Sequence, residues 1–336
     1  MREATEPVRY HSVSLDGIEK LVAFATRMEA MDRPPLIRHL FIADMYVRAL
    51  RTSSDEFPEN SKAEQLGRRI AAARRSAALL NGAVHTIISC AAPTLYSLAT
   101  PGRTLDPIAD TVFPHLRDLT IGTVLQKPAA GFQPRFPSLR RLHVLCPRAS
   151  LKFWTTLASS APDIVHLRLS EMSQDFDIAR FLRVFLDVSP PVSEQPSWDA
   201  YSANYFFRDG TPEALEAVAV AAQLPALQYI TVQPTKYVHR GGCGTGMHIQ
   251  KQMMHGLNLV QGLACSAAAR GEDTARSFVL LPEQQYSLDA ARRDWLDTVE
   301  GGEDPWQDRS VADASGTETA GVYRSGFVSD SSDDDE

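Results

Sequence analysis

The chain has 336 residues, 44% hydrophobic, 22% charged and 8% aromatic. That is enough apolar material for the core of one large domain or two ordinary ones, and too much for wholesale disorder. The net charge of -7 is unevenly placed: residues 301–336 hold ten acids and two bases, while the other 300 residues hold 31 acids and 32 bases, so the acidity belongs to a tail. Four scattered cysteines (Cys90, Cys146, Cys243 and Cys265) do not form a secreted disulfide framework, and the amino terminus shows no apolar signal segment. The most apolar stretch, Val84 to Leu98, is broken by His85, Pro93 and Thr94 and is too short for a bilayer, which takes about 20 apolar residues. A cytoplasmic or nuclear protein with no membrane partner is expected.

In chain order, a first strand is expected within Tyr10-His-Ser-Val-Ser-Leu15, followed by a helix with Ile18, Leu21, Val22, Ala25 and Met28 on one face. A phrase of apolar, two variable, apolar, one variable, apolar then begins at Ile37 and recurs at Leu95, Leu116, Leu139, Ile164 and Leu227, each time after a proline (Pro35, Pro93, Pro114, Pro137, Pro162, Pro225). The intervals are 58, 21, 23, 25 and 63 residues. The middle three fall in the leucine-rich-repeat range of about 20 to 29, and the long ones span two to three such units.

Helical patterns separate the phrases. Leu66, Ile70, Ala73, Ala77, Leu80, Val84 and Ile87 step by three and four along a long helix; Leu151, Trp154 and Ala158 form a short one; Ile178, Phe181, Leu182 and Phe185 another. Pro212 opens a helix through Leu215, Val218 and Ala222, as a proline at the first helical position loses no hydrogen bond. Further helices carry Met253, Leu257, Val260 and Ala264, and then Leu288, Ala291, Trp295 and Val299. Strands alternating with helices predict a parallel sheet. Residues 45–61 and 189–211 read as loops, and from Gly301 to Ser329-Asp-Ser-Ser-Asp-Asp-Asp-Glu336 the composition is that of a disordered tail. The expected architecture is therefore α/β, a leucine-rich-repeat-like solenoid over residues 1–300 with a tail over 301–336.

With these elements in place the sequence resembles the leucine-rich-repeat portion of fungal F-box-like proteins. The resemblance rests on Tyr10 to Leu15 with its helix and Ile37-Arg-His-Leu-Phe-Ile42, on Phe113-Pro-His-Leu-Arg-Asp-Leu119 and Phe136-Pro-Ser-Leu-Arg-Arg-Leu142, and on Gly241-Gly-Cys-Gly-Thr-Gly246 and Ala291 to Val299. It implies a protein-interaction module resembling the substrate-recognition part of an F-box ubiquitin-ligase receptor. The family's F-box lies amino-terminal to its repeats, and the nine or so residues before the first strand do not hold its helices. Recognition of a protein partner is therefore expected, and ligase-adaptor binding is not.

Strand side chains alternate, so the phrase sends its apolar residues into the stack and the interleaved ones to an open sheet face: His39 and Phe41, Asp118 and Thr120, Arg141 and His143, His166 and Arg168, Tyr229 and Thr231. Residues 113–170 hold eight bases and two acids, which suits an acidic partner; the plain alternative is a solvated face. The segment His239-Arg-Gly-Gly-Cys243-Gly-Thr-Gly-Met-His248, with His255 beyond it, is the one stretch suggesting a hydrolase-type enzyme. It lacks the Gly-Lys-Ser/Thr ending of a phosphate loop, the last glycine of a nucleophile elbow, and zinc-ligand spacing. A flexible turn entering a helix is the plainer reading, so no catalytic residue, cofactor or metal is expected. Lys62, Arg68, Arg69, Arg74 and Arg75 load one helix with charge but have no interleaved aromatics, so nucleic acid is not the expected partner.

Overall fold

Strands and helices follow one another as β1 (Ser12–Asp16), α1 (Ile18–Glu29), β2 (His39–Ala43), α2 (Lys62–Ala91), β3 (Ser97–Thr100), β4 (Asp118–Ile121), β5 (Arg141–Leu145), α3 (Leu151–Ser160), β6 (His166–Met172), α4 (Asp177–Leu186), α5 (Pro212–Ala222), β7 (Tyr229–Pro234), α6 (Thr245–Ala269), β8 (Ser277–Leu280) and α7 (Leu288–Glu300). This computed structural model describes residues 10–43, 62–102, 111–122, 135–145, 150–172, 177–188, 212–236, 245–269 and 276–301. The loops expected over 45–61 and 189–211, and the tail from 302 onward, lie outside the described residues.

The protein is α/β, and the eight strands among the described residues form one all-parallel sheet in chain order, β1 through β8. All six phrases are strands, each beginning two residues after the phrase does. The prolines explain that offset. Leu139 N–H donates to the Phe136 carbonyl, Ile164 N–H to Ala161 and Leu227 N–H to Leu224, at 3.2, 3.3 and 3.2 Å. Pro137, Pro162 and Pro225 thus sit second in four-residue turns, where a fixed φ is favoured.

After each turn the chain enters the sheet in one repeated way. The Arg38 carbonyl accepts the N–H groups of both Tyr96 and Ser97; the Tyr96 carbonyl accepts Arg117 and Asp118; the Arg117 carbonyl accepts Arg140 and Arg141; the Arg140 carbonyl accepts Val165 and His166; the Val165 carbonyl accepts Gln228 and Tyr229. At each of these steps one carbonyl takes two successive donors of the next strand, which locks the register. Phrase positions therefore stack in rows across the sheet: Leu40, Leu98, Leu119, Leu142, Leu167, Ile230 and Phe278 form one such row.

That row faces the helices and is fully buried with Ile37, Leu95, Leu116, Leu139, Ile164 and Leu227. Helices α1 to α6 cover it. Trp154 stacks on Phe181 at 3.6 Å between centroids, and Phe113 on Phe136 at 5.4 Å. Helix α6 approaches α4 at Gly256, where a Cβ would lie 3.0 Å from the Ala179 Cβ. Gly17, at φ 86°, makes the turn from β1 into α1, a conformation that side chains other than glycine strain to adopt. Strand β8 was not anticipated: Ser277-Phe-Val-Leu280 has no phrase around it, and it pairs with β7 through Ile230 and Phe278.

Leu142 is 0% exposed in the middle of the leucine row. Leu142→Ala is expected to cost about 2 to 5 kcal/mol, the range for a buried leucine whose neighbours cannot collapse into the space. Urea unfolding of the two proteins measures this, and a loss well below 1 kcal/mol would place the side chain outside the stack.

Candidate functional site

The strand side chains that do not face the helices form three further rows. Nearest the amino-terminal ends of the strands lie His39, Ser97, Asp118, Arg141, His166 and Tyr229. Two residues further along come Phe41, Ala99, Thr120, His143, Arg168 and Thr231, and beyond them Ala43, Leu145, Ser170 and Gln233. All ten residues expected on this face are on it.

The face is not fully open. Helix α7 crosses it, on the side of the sheet opposite α1 to α6, so the sequence reading needs correcting for the middle row. Phe41 is 1% exposed and His143 is 2% exposed. The amphipathic pattern of α7 shows that one side is buried without saying against which face of the sheet. Ser287 caps its start, accepting the Ala290 N–H at 3.1 Å, and Gly301 ends it at φ 70°. Ala291 and Trp295 pack with Phe41, Ala43, Ala99, Leu145 and Tyr286 in a second apolar cluster. The Trp295 ring lies 5.5 Å from that of Phe41.

Polar contacts fix α7 in place as well. Asp294 Oδ2 accepts from the Tyr286 hydroxyl at 2.6 Å and from Arg168 Nη1 at 3.3 Å. The Arg168 guanidinium lies 5.3 Å from the centre of the Tyr286 ring, which meets His143 edge-on at 4.7 Å. Burial, and then the neighbouring Asp294 carboxylate, hold the Tyr286 phenol far above its ordinary value, so it stays a donor.

Behind this contact runs a chain of hydrogen bonds that starts in the buried interior and ends at the exposed Gln284. Ser170 Oγ donates to Gln233 Oε1 at 3.2 Å, and Gln233 Nε2 donates to Gln284 Oε1 at 3.4 Å. A hydroxyl has one proton. With that proton given to Gln233, Ser170 Oγ accepts from His143 Nε2, 2.9 Å away, which assigns the neutral imidazole with its proton on Nε2. Burial, and the Arg168 charge second, hold the His143 pKa well below 6.5. Sequence reasoning missed Tyr286, Asp294, Ser170 and Gln233. The last two lie one alternation past the end of the phrase, so extending the strands by two residues would have found them.

A cavity of about 20 Å3 remains beside α7, lined by Ser97, Asp118, Thr120, His143, Arg168, Asp294, Trp295 and Thr298. That is room for about one water molecule. The outer row keeps access to solvent: His39, Asp118, Arg141 and His166 are half-buried and Tyr229 is 40% exposed. Arg141 Nε pairs with Asp118 Oδ1, and His166 stacks on Tyr229 with centroids 4.5 Å apart. These contacts run across adjacent strands and hold the side chains upright on the sheet.

Residues 237–244, including His239 and Cys243, lie outside the described residues. His248 and His255 fall in α6. Among the described residues, no three His, Cys, Asp or Glu side chains come together to hold a metal, and no helix is long and apolar enough to cross a membrane. Trp154, Phe181 and Phe185 are core residues, as expected.

The lowered His143 pKa gives a signed prediction. An unfolded chain takes up a proton as pH falls through the ordinary value of 6.5, whereas the folded site resists it. Stability is therefore retained above that pH and lost below it, by up to about 1.4 kcal/mol per pH unit for one proton. His39, lowered by burial and then by His11 and Arg38, acts in the same direction. Urea midpoints of wild type and His143→Gln at about pH 7.5 and about pH 5.5 separate the two contributions: the variant should be less stable at the higher pH and less sensitive to acidification. Identical pH dependence would show that folding does not shift the His143 pKa. A scan against protein-family models and searches of curated proteins and of solved structures find no match to this chain.

Proposed function

We propose that the chain is a protein-interaction module built as a leucine-rich-repeat-like solenoid, working in the cytoplasm or nucleus by binding rather than by turnover. One observation carries this reading: the described strands pair in parallel in chain order, and six of them, β2 to β7, repeat one phrase and one hydrogen-bond pattern. A sheet that grows one strand at a time presents an extended surface instead of a closed pocket, which is how solenoids bind other proteins. The cavity beside α7, at about 20 Å3, is far below the roughly 300 Å3 at which small-molecule pockets begin, and the larger space at the amino-terminal edge of the sheet, about 360 Å3, is an open groove.

The surface offered is the outer row, with Asp118 and Arg141 paired and His166 and Tyr229 stacked. Tyrosine and arginine held rigid by neighbours are the residue types that anchor protein interfaces at low entropic cost. The resemblance to F-box-like receptors gives the proposal its biological form, recognition of a substrate protein for a ubiquitin ligase. Adaptor binding is not part of the proposal.

Capture from native extract by three proteins tests it: wild type, a His166→Ala/Tyr229→Ala double variant, and a Leu79→Ser control, Leu79 being exposed on α2. Wild type and the control should retain one common protein, and the double variant should bind it at least about tenfold more weakly. Equal capture by all three would remove the outer row from the interface.

A further inference from the structure

At the amino-terminal edge of the sheet, the residues just before the strands form a fourth row. The shared carbonyl pattern brings Arg38, Tyr96, Arg117 and Arg140 side by side on successive strands. Adjacent positions are about 4.8 Å apart, the strand spacing. A groove of about 360 Å3 opens here, lined by Tyr96, His115, Arg117, Ser138, Arg140 and Asp163.

Its charge is unbalanced. Among the described residues no carboxylate pairs with Arg38 or Arg117. Arg140 reaches Asp163, at 4.0 Å with both side chains about half exposed, and donates to the Asp163 carbonyl at 3.1 Å. Exposed pairs of this kind hold weakly and exchange readily. Two guanidiniums on neighbouring strands repel each other, and a doubly charged oxyanion between them would convert that repulsion into charge-assisted, forked hydrogen bonds.

Tyr96 acts as a platform. The Arg38 and Arg117 guanidiniums lie 5.5 and 5.8 Å from its ring centre, and the His115 ring stacks near it at 6.2 Å. With these groups against it, the ring orients the cations and is not free to stack a nucleic-acid base. Ser138 Oγ gives its proton to the Pro114 carbonyl at 2.6 Å, so anion contacts fall to the arginines and His115.

We propose that this edge groove is a phosphate-binding site that receives a phosphorylated serine or threonine of an acidic peptide, with Arg117 and Arg140 gripping the phosphate and Tyr96 positioning Arg117. The site lies apart from the outer row of the sheet face, and its variants differ from those that test the interaction module, so either can fail without the other. The probes are a fluorescent peptide of alternating aspartate and phosphoserine, its unphosphorylated form, inorganic phosphate, and polyuridine of equal length, each added to the full chain. The phosphopeptide should bind at least tenfold more tightly than the serine form, should be displaced by inorganic phosphate, and should weaken as salt rises. Arg117→Ala and Arg140→Ala should each weaken it tenfold or more, with Arg117→Lys intermediate because ammonium lacks the planar fork. Asp163→Asn, which removes the competing carboxylate, should tighten it severalfold, a gain that general damage to the fold does not produce. Tyr96→Ala should act like Arg117→Lys, and Tyr96→Phe should be neutral. Equal affinity for the two peptides, tighter binding of polyuridine, or affinity indifferent to Arg117, Arg140 and Asp163 would overturn the proposal.

Discussion

The regular sheet of this molecule depends on one repeated hydrogen-bond arrangement, a single carbonyl before each of strands β1 to β6 that accepts two successive N–H groups from the next chain segment. The arrangement fixes register, and a slip of one residue would turn the buried leucines outward and bring residues such as Asp118, Arg141 and His166 into the core. Because the register is the same from β2 to β7, equivalent positions become continuous rows. A sequence that varies only at chosen phrase positions can then write a different chemistry along each row: leucines against the helices, an ion pair and a ring stack on the face, arginines at the edge.

The rows also explain why α7 sits where it does. Phe41 and Ala99 in the middle row, with Ala43 and Leu145 beyond them, leave an apolar strip on this face, and Trp295 and Ala291 cover it. Arg168, placed by the same register, meets Asp294 and the Tyr286 ring. Covering the strip removes a hydrophobic patch from solvent and takes His143 out of contact with water, which makes that imidazole a structural hydrogen-bond donor instead of a titrating surface group. What stays accessible is displaced toward the amino-terminal ends of the strands. The outer row and the edge groove, the two surfaces proposed to bind, lie there.

Much of this was legible in the sequence for a physical reason: turn chemistry and apolar spacing are local. Pro137, Pro162 and Pro225 mark turns by their fixed φ, and Leu142 or Leu167 declare their burial by position in the phrase. Even the edge row is written there, since Arg38, Tyr96, Arg117 and Arg140 all occupy the first variable position. The cover was not legible. Leu288 to Val299 reads as an ordinary amphipathic helix, and nothing local says that it lies opposite the other helices, because that depends on Phe41 being more than 250 residues away. Strand β8 escaped notice because Phe278 alone stands in for the phrase. The histidine expected to greet a partner, His143, is instead buried under Tyr286, a residue far away in sequence.

The account turns on α7 lying across the sheet face opposite the other helices. Nuclear Overhauser contacts in a methyl-labelled, aromatic-protonated full chain measure this directly. The account predicts contacts from the Trp295 ring to the Phe41 ring, 5.5 Å away between centroids, and to the Ala99 methyl group in the same cluster. Contacts from Trp295 to the buried side of α2, at Leu80, Val84 or Ile87, would place the helix on the other face and contradict it.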